Sequence, residues 1–253
     1  MKKISLFIIY SMLAITLVTS CLGDTNQHIT ISNQPGVVMK SENQTKIQLK
    51  DSIFISSDQI SGVDDGDCLL LKYNLNYGLD ANADSGRHAG FFTVELIEAK
   101  GVAQYTTQKE LDTVTMFPKN ERIITDIQQR QAFILDRLFL YTTHKVDSFQ
   151  QQNLFDLSYN AKNEPKIDEN NRLVYNLYLR VFKMPNVEEQ KTSNPDRLYI
   201  NAFNLSDIAT KEKAAGKDSV YLKIHYVRSF NKDTTAITDW ASINYGLSLY
   251  PKR

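Results

Sequence analysis

Cysteine is nearly missing from this chain, and the shortage removes whole classes of chemistry at the outset. Among 253 residues there are two, Cys21 and Cys68. If one of them is modified, no intramolecular disulfide and no cysteine metal cluster can form. Histidine is also sparse: His28, His88, His144 and His225 are scattered, without the close spacing of a zinc site. Excess charge is absent too, since 29 basic residues meet 29 acidic ones. That balance leaves no electrostatic footprint for nucleic acid, and no nucleic-acid partner is expected. No serine has the glycine elbow of a hydrolase, and no glycine-rich loop suits a phosphate. The adjacent Glu188 and Glu189 follow Pro185 and read as a solvated loop, because a glycosidase pair needs its second acid across a cleft. No catalytic residue is expected, and the chain reads as a binding protein rather than an enzyme.

What is present starts at the N-terminus. Lys2 and Lys3 precede an apolar run from Ile4 to Val18, which ends in Val18-Thr19-Ser20-Cys21. A positive start, an apolar middle and a small-residue cleavage site make residues 1–20 an export signal. The run is too short for a spanning helix, which needs about 20 apolar residues. An aliphatic-small-small-Cys ending makes Cys21 the lipidation site, where the thiol is diacylated and becomes the new first residue. Stable anchoring needs more than one acyl chain, and a diacylated or triacylated (palmitate-type) Cys21 supplies it. Leu22 follows, so the aspartate that holds lipoproteins at the inner membrane is missing. An outer-membrane lipoprotein is expected, on the periplasmic face or the cell surface. Removing Lys2 and Lys3 leaves 27 basic against 29 acidic residues, a formal charge of −2. Residues 21–35, polar and rich in Asn, Gln and Ser, read as a flexible tether.

Beyond the tether the dominant period is two, which predicts an all-β protein. Lys46–Lys50 and Ile53–Ser57 flank Asp51-Ser52 as a tight hairpin. Cys68–Tyr77 opens as an apolar run and then alternates, placing Leu69, Leu71, Tyr73, Leu75 and Tyr77 on one face. Phe92, Val94, Leu96 and Ala99 supply the next strand. Thr107–Glu110 has a capping-box pattern that would start one helical turn. Pro118 and its polar neighbours separate the halves, with a boundary between Tyr105 and Arg122, giving domains at 36–110 and 120–253. The second half predicts strands at Ala132–Tyr141, Leu173–Lys183, Leu198–Leu205, Val220–Phe230 and Trp240–Tyr250; Ile123, Ile124 and Ile127 fit a helical face as well. Phe155-Asp-Leu-Ser158 before "LVYNLYLRV" and Phe203-Asn-Leu-Ser206 before "SVYLKIHYV" form a faint echo, from duplication or from two strands meeting one packing demand. Cys68, opening an apolar run, reads as a buried inert thiol.

The Cys21 signal, "IQLKDSIFI", the Asp65-Gly66-Asp67 turn before "LLLKYNL", and the later "LYLRV", "NAFNLS" and "VYLKIHY" together resemble the NigD-like lipoproteins. The resemblance spans most of the mature chain. It implies an N-terminal OB-like barrel followed by a C-terminal β-sandwich, and a bacteriocin-immunity or accessory role without catalytic residues. The long Gly78–Gly90 loop departs from that pattern.

Candidate binding chemistry gathers at that loop. Asp80, Asn82 and Asp84 place oxygen ligands at every second residue, as the start of a calcium loop does, and Asp64, Asp65 and Asp67 stand on a neighbouring turn. Phe91 occupies the place of the closing bidentate glutamate, and turn chemistry alone explains the same residues. Calcium is thus the only cofactor candidate, against an expectation of none. Arg87 and His88 on the loop are candidate binding residues. Trp240, the single tryptophan, is a candidate exposed platform beside Asp239. Two functional classes remain: an envelope lipoprotein that binds a partner protein, and a glycan-binding module accessory to an outer-membrane uptake system.

Overall fold

A computed structural model of the protein describes residues 28–41, 44–50, 53–82, 90–111, 120–147, 151–184, 196–231 and 237–250. The architecture is all-β, as the period-two pattern predicts. Six strands form the first sheet: β1 (His28–Ser41), β2 (Gln44–Gln48), β3 (Phe54–Ser56), β4 (Cys68–Asn76), β5 (Phe91–Thr93) and β6 (Glu95–Gly101), in the order β5-β3-β2-β1-β4-β6. The expected hairpin is β2–β3, with Ile47 opposite Ile55. Only Val94 separates β5 from β6, yet β5 pairs with β3 at one edge and β6 with β4 at the other. One run of chain therefore serves both edges, so the sheet must curl round on itself in the OB manner, although no ladder joins β5 to β6 among the described residues. Ile47, Ile55, Leu71, Tyr73 and Leu75 fill its interior. Gly36 is required where β1 crosses that interior, because a Cβ there would overlap the Ile47 side chain. Part of the segment expected as tether is strand: His28–Gln34 belongs to β1, laddered onto β4 from His28↔Asn76 to Gln34↔Leu71, with a bulge where Asn33 turns to φ 55°.

The second half is a sandwich. Its four-stranded sheet, in the order β7-β13-β9-β8, is built from β7 (Ala103–Thr106), β8 (Ile124–Ile134), β9 (Arg137–Lys145) and β13 (Asp196–Asn204). The five-stranded sheet uses β10 (Asn153–Ser158), β11 (Lys166–Ile167), β12 (Leu173–Lys183), β14 (Ser219–Phe230) and β15 (Ile237–Ser248), in the order β10-β12-β14-β15 with β11 on β12. Leu138, Leu140 and Phe203 from one sheet meet Leu157, Leu177, Leu179 and Ile224 from the other, all nearly inaccessible. A helix, α1 (Ser206–Ala214), sends Ile208 and Ala209 into the same core.

Several expectations change. Ala132–Tyr141 is not one strand but the β8–β9 hairpin, turned by Leu135 and Asp136 at φ 47° and 59°. Ile124 and Ile127 lie in strand rather than helix. Thr107–Glu110 forms no helical turn; Gln108 instead bridges to β10, its N–H donating to the Leu157 carbonyl at 2.8 Å. The change of sheet comes at Val102, ahead of the expected 105–122 boundary, since β7 pairs with β13. The echo is not a repeat: Phe155–Ser158 is an edge strand of the five-stranded sheet, whereas Phe203 ends β13 in the other sheet and Ser206 starts a helix.

A third apolar cluster joins the two halves. Val37, Cys68 and Val102 pack with Ala132, Ile134, Phe139 and Ala202. This explains why β4 opens with four apolar residues before alternating: Leu69 and Leu71 face the OB interior, while Cys68 and Leu70 face the sandwich. Burial pushes the Cys68 thiol up to about 11, against a minor opposing pull from Arg137.

Candidate functional site

Along β14 the core residues Val220, Leu222 and Ile224 point inward, so Tyr221, Lys223 and His225 must face out. Register then assembles a strip across three strands. Tyr221 stands beside Val174 and Gly246, Lys223 beside Asn176 and Asn244, and His225 beside Tyr178 and Ser242. Gly246 has no side chain to obstruct its neighbour, and a Cβ there would lie 3.4 Å from Cε1 of Tyr221, so the tyrosine ring leans over the glycine. The Arg172 guanidinium carbon sits 5.0 Å from the ring centroid. Arg172 is held there by Asp168, to which its Nε and Nη2 donate at 3.1 and 2.9 Å. Asp168 also accepts the backbone N–H groups of Asn170 and Arg172 at 2.9 and 2.8 Å. These bonds keep its carboxyl below the usual range, the backbone bond from Arg172 being the largest cause. The loop bearing Asp168 and Arg172 is thus a preset wall, and it encloses with Tyr221, Lys223 and Asn244 a groove of about 540 Å³.

Four residues along β14 from Tyr221, about 13 Å at strand spacing, lies a second aromatic group. Tyr178 stacks on His225 at 4.7 Å and takes the edge of Trp240 at 5.2 Å and 85°. Asn176 orients the histidine. Its amide nitrogen donates to both oxygens of Glu164 at 3.2 Å, which leaves its oxygen 3.1 Å from Nε2 of His225. That ring nitrogen must then carry the proton, an assignment made from the network. Desolvation first, and the Lys223 charge second, lower the His225 pKa to about 4, so the ring is neutral near pH 7.

The residues singled out in the sequence are dispersed. Trp240 lies on this face and is half-buried rather than a fully exposed platform. Asp80 begins a short 3-10 turn, Asp80–Asn82. Asn82 is wholly buried as a peg: its amide donates to the carbonyls of Asn76 and Thr93 at 2.8 and 2.9 Å and accepts from the Thr93 N–H at 2.7 Å. Asp65 caps the Lys40 N–H, and Asp67 accepts from the Asp64 N–H. Cys21, Asp84, Arg87, His88, Glu188 and Glu189 lie outside the described residues. Among the described residues no three His, Cys, Asp or Glu side chains are grouped as a metal site. Tyr221, Arg172 and Gly246 were not anticipated. The signal existed in "SVYLKIHYV", where the outward parity of Tyr221 follows once Val220 and Leu222 are assigned to the core.

Two other clefts accompany the groove. One, of about 1300 Å³, runs between Gln104–Glu110 and Leu154–Asp156 and reaches Arg180, whose guanidinium grips buried Glu121 through two bonds of 2.7 and 2.6 Å. The other, about 440 Å³, lies between the OB-like sheet at Leu49 and the sandwich at Phe133 and Leu247. No helix among the described residues is long and apolar enough to cross a membrane.

An OB-like sheet clamped to a sandwich defines the structural class, and the comparisons agree with it. Residues 26–100 match the family of lipoprotein OB domains. No curated protein matches the chain. Three solved structures cover most of it. An uncharacterized protein from Parabacteroides merdae is 21% identical, with a TM-score of 0.69 over 88% of this chain and 99% of its own. A protein of unknown function from Bacteroides vulgatus is 14% identical, with a TM-score of 0.53 over 88% and 92%. A NigD-like immunity protein from Bacteroides caccae is 11% identical, with a TM-score of 0.45 over 86% and 96%. The OB-like N-terminal part expected from the sequence agrees with the first of these findings, in which residues 26–100 are similar to lipoprotein OB domains.

Proposed function

We propose that the protein is an outer-membrane-anchored envelope lipoprotein that binds a partner and performs no catalysis. The observation that carries this reading is the match of residues 26–100 to lipoprotein OB domains, directly downstream of the lipidation signal at Cys21. Two β domains joined by an apolar cluster give such an anchor a stiff body on which loops and sheet faces are presented. The NigD-like resemblance makes the partner-binding role an accessory or immunity-type one. A glycan-binding role beside an uptake system is the second reading, favoured by the aromatic groove around Tyr221.

The test is fractionation and labelling in the native host. Wild-type protein should incorporate labelled fatty acid and remain in the outer membrane after a high-salt and carbonate wash. Cys21→Ser should be released as a soluble or unprocessed product. A Cys21→Ser protein that still sediments with washed membrane, with no label on the wild type, overturns the anchored reading. Turnover of a peptide or glycan by the purified protein overturns the non-catalytic part.

A further inference from the structure

We propose that the outer face of the five-stranded sheet, from the Tyr221 groove to the Tyr178–His225–Trp240 cluster, is a binding site for a short oligosaccharide. The proposal rests on the reading of the chain as a binding lipoprotein and names the ligand class. Its first support is the alternation of chemistry along the strip. Aromatic rings stand at both ends, and Lys223, Asn244 and Asn176 lie between them. A sugar ring has the matching character: C–H faces that lie on an aromatic face, and a rim of hydroxyls that needs donors and acceptors. An apolar ligand would cover Lys223 and Asn244 without partnering them, which is costly. A strongly anionic ligand fits poorly as well, because Arg172 is already neutralised by Asp168 at 2.9 Å, leaving Lys223 as a cation with no ion pair among the described residues.

The second support is preorganisation. Tyr221 is 37% exposed, although a tyrosine on a sheet face gains by burying its ring. Its exposure is fixed by two separate devices, the missing side chain at Gly246 and the clamped guanidinium of Arg172. At the far end, His225 is turned by Asn176, itself bound to buried Glu164, so that Tyr178 and Trp240 keep their edge-to-face geometry. The groove of about 540 Å³ takes in Tyr221, Lys223, Asn176 and Asn244, with the aromatic cluster beyond it along the same strand.

Trp240 is the single tryptophan, so its fluorescence reports on this face alone. The soluble Cys21→Ser protein is titrated with maltohexaose, xylohexaose, mannohexaose and hexagalacturonate, with calorimetry in parallel. At least one of the three neutral sugars should give a saturable fluorescence change, and binding of hexagalacturonate alone overturns the proposal. Tyr221→Ala should weaken that binding tenfold or more with the circular dichroism unchanged. Gly246→Val, which pushes the tyrosine ring from its seat, should do the same. No binding of any of the four sugars at millimolar concentration overturns the proposal, as does Tyr221→Ala binding as tightly as wild type. If Tyr221→Ala still captures the native partner in the membrane while no sugar binds, the groove is refuted and the binding-lipoprotein reading stands. Release of shorter sugars refutes the non-catalytic reading and leaves the groove.

Discussion

His144 shows how one residue sets a property of the whole fold. It is fully buried on β9, its ring stacked on Tyr199 at 4.4 Å. Gln151 donates to Asn153 Oδ1 at 2.6 Å, so the Asn153 amide nitrogen, 2.9 Å from Nε2 of His144, is the donor in that contact. The ring therefore accepts at Nε2 and is neutral. Desolvation first, then the charges of Arg122 and Arg197, lower its pKa to about 4, with Asp196 opposing. The unfolded chain takes up this proton near pH 6.5 and the folded chain only near 4, so between those values the unfolded state binds more protons. Stability is expected to fall as pH drops through that window, with a ceiling of about 3 kcal/mol from this residue. Urea unfolding at pH 7 and pH 4.5 measures it. His144→Gln should be less stable than wild type at pH 7 yet lose less on acidification, the remaining slope coming from His225, which is shifted the same way. A variant with the full wild-type slope contradicts the assignment. None of this was legible from composition, because a lone histidine between Thr143 and Lys145 gives no sign of which strand covers it.

Among the elements, legibility followed parity. Leu173–Lys183 was bounded correctly because it lies in the middle of a sheet and its inward residues are apolar throughout. The β8–β9 hairpin was missed because its turn is Leu135-Asp136, where both residues adopt positive φ without the Asn-Gly pair that usually announces such a turn. The same misfit is a prediction. Leucine in the left-handed region costs about 1–2 kcal/mol and asparagine tolerates it better. Leu135 is 42% exposed, so little burial is lost. Leu135→Asn should raise Tm by about 2–4 °C in calorimetry; a fall would show that Leu135 is held by packing at the cleft beside Leu49. Helix α1 escaped notice because only Ile208 and Ala209 face inward apolar groups, too few to outweigh its lysines. Residues 120–122, at the start of the expected second domain, run along β12: the Arg122 N–H donates to the Val181 carbonyl and the Lys183 N–H to the Asn120 carbonyl. The Glu121–Arg180 pair pins them, both side chains almost inaccessible. Removing one partner of such a pair costs about 3–5 kcal/mol, while replacing both by apolar residues can be nearly neutral. In a double-mutant cycle, Glu121→Leu alone should be strongly destabilising, and Glu121→Leu with Arg180→Met should recover most of the loss.

At the scale of the whole molecule, the two halves share an apolar cluster, so they are expected to unfold as one cooperative unit. The sequence showed two stretches of alternating strand and a polar break near Pro118, so it read as two bodies on a linker. What it concealed is that β4 is apolar on both faces at its start, with Cys68 and Leu70 packed against Phe139, Ile134 and Ala202. A continuous run such as Cys68–Leu71 is the mark of a strand buried on both sides. Phe139 is 0% exposed in that cluster, so Phe139→Ala removes a ring that both halves surround, at a cost of about 3–5 kcal/mol. Cys68, 2% exposed in the same cluster, is the only thiol left once Cys21 is replaced by serine, and its protection reports directly on the joint. In the Cys21→Ser protein, Cys68 should react with a thiol reagent only as the whole chain unfolds, so labelling and circular dichroism should give one coincident denaturant transition. Phe139→Ala should shift both curves together to lower denaturant and speed labelling in native buffer. If Cys68 became labelled at a denaturant concentration where the strand signal is still complete, the halves would separate before either unfolds, and the joint would be a contact between two bodies rather than part of a common core.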